Sequence, residues 1–317
     1  MTQKGNQIIL IGIVTALLLI SALLAGCTGS TPQEPAPAAQ AQNPISTLET
    51  ASTLLPASGQ ATAPAVAATT ATPKPVYTAA EGTVIAYTAA SLKGASAKLG
   101  EGYTAMYPGR TVVFNLDGTQ ALTTQIENGA YADVFISASP KYTRQLTSGG
   151  YFVDGSVKTL TTNYVIVIVP AENPAGIASL ADLAKPGVKI ARAAATVPVG
   201  IASDAAIGNL AASTYGQDWN DSVNKNTVTY ETSEPAVATK VALGEVDAGF
   251  VYESTATAAK TGTYMTVEIP KSDNYLQTYS IAVLEESTKK TAAEDFEKYL
   301  LSDAGQQILR AYGFRTP

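Results

Sequence analysis

Residues 121–148 read ALTTQIENGAYADVFISASPKYTRQLTS, and the alternation inside this stretch decides the class of fold. A helix is predicted over Ala121–Asn128, a short apolar strand over Val134–Ser137 and a second helix over Pro140–Ser148. Helix, strand and helix in so short a span is the texture of an α/β domain, where helices cross over between strands of a mostly parallel sheet.

Working outward, the same texture fills the chain from about Gly82 to its end. Further strands are predicted at Thr83–Tyr87, Thr111–Asn115, Tyr164–Val169, Lys189–Ala191, Val228–Tyr230, Ala248–Tyr252 and Ile281–Leu284. Helices are predicted near Ser91–Tyr107, Ile201–Tyr215, Pro235–Leu243 and Thr291–Leu301, with a last one over Ser302–Tyr312 and Gly313 past its end as a C-cap. No internal repeat is evident. Thr162–Tyr164 and Gln277–Ser280 suit chain crossings between two lobes, one made of residues 82–163 and 278–317 and the other of residues 164–277. A ligand would then sit in the cleft between them.

Ahead of this domain the composition changes twice. Residues 1–27 read as a signal sequence, with Lys4 as the positive charge, Ile8 to Leu24 as the apolar run, and Leu24-Ala25-Gly26-Cys27 resembling a lipobox. Cys27 is thereby expected to carry a lipid that holds the mature chain at the outer face of the cytoplasmic membrane. An uncleaved transmembrane anchor is the alternative, and it leaves the rest of the chain outside the cytoplasm as well. Residues 28–81 are rich in Ala, Pro, Thr, Ser and Gln, and residues 28–80 hold eight of the 17 prolines with Glu34, Glu49 and Lys74 as their only charges. Such a segment buries too little apolar surface to offset its ordering entropy and is expected to be a disordered tether.

The 317 residues contain no histidine and one cysteine, which excludes His/Cys zinc sites, Ser-His-Asp triads, Cys-His pairs and internal disulfides. A formal net charge of -6 without a basic stripe argues against binding nucleic acid, whose phosphates demand clustered Lys and Arg. Carboxylate or Ser-Lys chemistry is compatible with the composition, but no spacing specifies it. The expectation is a protein that is not an enzyme and carries no cofactor.

Four strand-to-helix turns combine small residues with hydroxyls, the chemistry of a helix start that offers N–H groups and a positive dipole end to an anion. They are Tyr87–Leu92 around Ser91, Asp117–Leu122 around Thr119, Ala195–Ala202 around Val199, and Thr232–Val237 around Glu234. Glu234 would serve through its backbone amide, because a carboxylate facing an anion repels it. Tyr252, at the end of a predicted strand, is either an anion donor or a buried tyrosine bonded to a neighbouring carbonyl. Asp133 and Asp247 read as structural, and Lys93 and Arg192 are left outside the site.

Five segments carry a resemblance to a known family: Ala89–Leu92, Gln125–Ala138, Val197–Ile201, Asp247–Tyr252 and Tyr312–Phe314. Together they resemble the molybdate-binding proteins of molybdate ABC importers, over nearly all of residues 83–317. The resemblance implies an α/β fold of the two-lobe, type II periplasmic-binding-protein kind. It also implies an oxyanion site made of Ser91, Thr119, Val199, Glu234 and Tyr252, with molybdenum or tungsten present only as the oxyanion. An ABC permease is the implied partner and a monomer the expected state. Thr119 stands where the family has a serine, Val199 where alanine is common, and Glu234 where valine is familiar. Other readings stay open: another oxyanion such as sulfate, a relative that recruits carboxylates to the metal, or a surface sensor or adhesin that kept the fold.

Overall fold

The computed structural model describes residues 82–317, so the readings made for residues 1–81, Cys27 among them, lie outside the described residues. The strands are β1 (Thr83–Ala89), β2 (Thr111–Asp117), β3 (Val134–Ser137), β4 (Lys158–Pro170), β5 (Ile190–Ala193), β6 (Thr227–Glu231), β7 (Ala248–Tyr252), β8 (Tyr264–Val267) and β9 (Leu276–Val283). The α-helices are α1 (Lys93–Met106), α2 (Thr119–Glu127), α3 (Pro140–Ser148), α4 (Pro198–Leu210), α5 (Gln217–Asn226), α6 (Glu234–Ala242), α7 (Glu253–Ala258), α8 (Lys290–Leu301) and α9 (Asp303–Ala311). Short 3₁₀ turns cover Ala90–Leu92 and Leu180–Ala184, and a π turn, Ala211–Tyr215, continues α4.

The hydrogen-bonded strand path runs β2-β1-β3-β9-β4-β7-β5-β6, with β8 added to β4. Its ends are parallel: β1 pairs with β2 and β3, and β5 with β6 and β7. The expectation of mostly parallel sheets holds for these outer strands and fails in the middle. There β9 and β4 run antiparallel to each other, to β3 and to β7, because the chain passes back and forth between the two ends. The first half of β4, Lys158–Tyr164, pairs with β9, while Val165–Ile168 pairs with β7.

Successive residues of a strand face opposite sides, so a central strand needs apolar residues on both. In β1, Val84 and Ala86 pack in one core with Leu99 and Tyr103 of α1, while Ile85 and Tyr87 pack in another with Leu122 of α2 and Leu146 of α3. Asp133 lies between these layers and is fully buried. Its Oδ2 accepts from Ile85 N–H at 2.8 Å, and its Oδ1 accepts from the Ser287 hydroxyl at 2.7 Å. It ties β1 to the start of β3 and to Ser287, and Asp247 likewise accepts from Lys189 N–H at 2.7 Å beside the start of β7. Arg192 is paired with Asp204 at 3.0 Å and also donates to Asn224 and Tyr230.

The C-terminus returns to the middle of the sheet. Thr162 and Arg315 exchange backbone hydrogen bonds of 2.9 Å, and the Arg315 guanidinium forks onto Glu253 at the start of α7. Gly313, at φ +82, makes the left-handed turn that redirects the chain after α9.

Candidate functional site

In each end of the sheet, the carboxyl ends of parallel strands run directly into helix starts. β1 ends at Ala89 and leads into the turn carrying Ser91; β2 ends at Asp117, and Thr119 opens α2 after Gly118. On the other side β5 leads to α4, which has Val199 in its first turn, and β6 leads to α6, which Glu234 opens. Tyr252 ends β7. The first turns of α2, α4 and α6 have no side-chain cap, so their early N–H groups keep their hydrogen-bonding capacity.

These starts converge. Ser91, Thr119, Val199, Glu234 and Tyr252 all line one small cavity of about 20 Å³, together with Ala138 and Pro198 and their neighbours. All five are buried, with Ser91 the most accessible at 8%. No lining residue is basic, and Glu234 is the one carboxylate among them.

Each polar group reaches the cavity with different commitments. Thr119 Oγ1 accepts from Ala138 N–H at 3.1 Å, which leaves its own proton to donate. Ser91 Oγ and Tyr279 Oη lie 2.9 Å apart, so a phenol proton given to Ser91 frees the serine proton for a ligand. Tyr252 Oη donates to Gln277 Oε1 over 3.2 Å, a long bond, and its ring meets Tyr279 edge-on at 6.0 Å. Burial pushes both phenols well above their ordinary value, so they stay protonated donors. Gly200 lets α4 start this close to β5: a Cβ there would lie 2.1 Å from Ala194 O and 2.6 Å from Ala193 O.

Glu234 is the exception to a set of neutral donors. Its Oε1 accepts from Tyr252 N–H at 2.8 Å and from the Thr255 hydroxyl at 2.7 Å, while Oε2 is buried without a hydrogen-bond partner. Loss of solvent, only partly offset by those two donors, pushes the carboxyl up to about 7.

Two hydrogen bonds join neighbours of the cavity-lining residues across the site. Gln120 Nε2 of α2 donates to Thr232 O at 2.8 Å, and Tyr142 Oη of α3 donates to Thr196 O at 2.6 Å. Neither donor was singled out from sequence, nor were Gln277 and Tyr279. For the last two a signal exists: Gln277, Tyr279, Ile281 and Val283 alternate on one buried face of β9, and a polar Gln at such a position marks a strand that passes a polar site.

A two-ended α/β sheet with helix starts at a buried cavity is the type II periplasmic-binding-protein fold. The family described as bacterial extracellular solute-binding protein matches residues 84–315, and this chain belongs to it. The molybdate-binding protein ModA of Mycobacterium tuberculosis H37Rv is 32% identical over 237 residues, covering 74% of this chain and 85% of that protein. Among solved structures, the substrate-binding domain of a putative molybdenum ABC transporter from Clostridium difficile is 30% identical, with a TM-score of 0.58 over 74% of this chain and 99% of that one. The Azotobacter vinelandii periplasmic molybdate-binding protein, 22% identical with a TM-score of 0.64 over 74% and 99%, shares the fold. The relatives are binding proteins rather than enzymes.

Proposed function

We propose that this chain captures molybdate, and tungstate with it, in the cavity between two lobes and delivers it to the permease of an ABC importer. The lobes are residues 82–163 with 278–317 and residues 164–277, joined where β4 and β9 cross. Cys27 carries the lipid that keeps the protein at the outer face of the membrane, and residues 28–81 serve as the tether. The observation that supports this reading most is the convergence of Ser91, Thr119, Val199, Glu234 and Tyr252, drawn from separate strand ends, on one buried cavity.

The physical case rests on charge-assisted hydrogen bonds. Several neutral donors around a dianion are individually stronger than neutral pairs, and they need no lysine or arginine. Hydroxyls from Ser91 and Thr119, and amides from the first turns of α2 and α4, suit oxygens disposed tetrahedrally. With a formal net charge of -6 the chain does not steer anions over a distance, so selectivity falls to the cavity itself.

Calorimetric titration with molybdate, tungstate, sulfate and phosphate tests the reading. Molybdate and tungstate should bind tightly, sulfate more weakly because its smaller radius leaves donors out of reach, and phosphate least. Absence of molybdate binding to folded protein would refute it.

A further inference from the structure

Glu234 sits where the proposed anion binds, and a carboxylate beside a dianion is repelled. Its Oε1 is held by Tyr252 N–H and Thr255, but Oε2 has neither donor nor water-facing surface, in a side chain that is 4% exposed. Among the described residues no cation compensates it. Tyr252 of β7 and Tyr279 of β9 are the titratable groups that feel its charge, and burial keeps both protonated. The charged groups of the other elements packed on α6 are committed elsewhere: Arg192 of β5 to Asp204, Glu231 of β6 to Lys240, and Lys158 of β4 to Glu297. Tyr164 of β4 lies under Arg315 and Lys271, Tyr230 of β6 accepts from Arg192, and Glu253 beyond β7 is forked by Arg315. Asp117, at the end of β2, accepts from Gly118 N–H.

We infer that anion capture here is coupled to the uptake of one proton by Glu234, whose Oε2–H then donates to an anion oxygen. The inference rests on the binding function proposed above and adds a regulation to it. In balance, the ionised protein, one dianion and one solvent proton give a complex in which Glu234 is neutral; no bond other than O–H forms. The carboxyl, already lifted to about 7 by burial, is lifted further by the bound charge. Below about pH 7 the proton is in place before the anion arrives, and affinity is independent of pH. Above it, each pH unit weakens binding about tenfold until the bound state also loses its proton. Protein reaching a more alkaline surface would therefore release its cargo.

The test is calorimetric titration of sodium molybdate into the full chain from pH 6 to pH 9, in two buffers of different ionisation heat. Near-constant affinity up to about pH 7, a fall approaching tenfold per unit beyond it, and uptake of close to one proton at pH 8 are expected. In Glu234→Gln, whose amide supplies a donor that does not titrate, the slope and the proton uptake should vanish. Thr255→Val, which removes a donor that favours the ionised form, should move the onset of the fall upward. Parent affinity that is flat to pH 9 with no proton uptake would overturn the inference while leaving the binding function standing. A slope that survives in Glu234→Gln would overturn the assignment to this residue. Folded parent protein that binds no molybdate at any pH would overturn the binding function and this inference together.

Discussion

Ser91 and Thr119 each offer a hydroxyl to the cavity, and each also holds a buried partner of the fold. A hydrogen bond to a charged group contributes roughly 1.5 to 3 kcal/mol, so Ser91→Ala and Thr119→Val should each weaken molybdate binding about ten- to a hundredfold, as read by titration. Both should also destabilise the ligand-free fold, by about 1 to 3 kcal/mol, because Thr119→Val strands the buried Ala138 N–H and Ser91→Ala takes its partner from the buried Tyr279 phenol; Thr119→Ser should restore both properties at its position. Glu234 adds a pH dependence to stability without any ligand. Its proton is held more tightly in the folded chain than in the unfolded one, so its contribution is complete below about 4.5 and is lost as pH rises through about 7. Denaturation of parent and Glu234→Gln at pH 5 and pH 8 should show the variant gaining on the parent, by on the order of 3 kcal/mol. Equal pH trends for the two proteins would show that Glu234 is not held this way.

At the scale of elements, the start of α4 is the most constrained part of the site. Gly200→Ala places a methyl against two backbone carbonyls, which cannot rotate away, so α4 must shift from β5 and carry Val199 with it. The expected result is a lower melting temperature and loss of molybdate binding, whereas Gly208→Ala, in the same helix with open space around it, should affect neither. The helix starts were legible in the sequence to within three residues, since Pro198, Pro235 and Gly118 punctuate them. Strands β3 and β7 and helix α3 were predicted at their observed bounds, being apolar runs or proline-opened helices. The first half of β4 was not, because KTLTTN at 158–163 reads as polar, although Leu160 to Asn163 are buried against β9 and the C-terminal segment. Helix α5 was hidden by its polar composition, and it is held by three buried residues, Trp219, Val223 and Asn226. Of the site, the five residues carried by family resemblance meet at one cavity, but their supports do not announce themselves. Tyr279 reaches Ser91 across 188 positions of chain, and no local pattern encodes such a pairing.

For the whole molecule, the important feature is the pair of bridges beside the cavity, Gln120 to Thr232 O and Tyr142 to Thr196 O. They join segments of the two proposed lobes, so a hinge where β4 and β9 cross would have to break both bonds to open, and they would then belong to the closed form. On the binding function proposed above, an anion walled in by these buried residues would leave only after both have broken, and the chemistry of the ion would then have little influence on how long that takes. Molybdate and tungstate should accordingly show similar dissociation rates in stopped-flow displacement. Tyr142→Phe removes one bridge of about 1 kcal/mol and should shorten the residence time roughly fivefold while barely changing the association rate, which is set by the open form. An effect confined to association would show that the bridge is not the bolt. On that reading the time for which the cargo stays on board is written into the lid rather than the seat, and a membrane receptor would hasten unloading by drawing the bolt, without touching the ion.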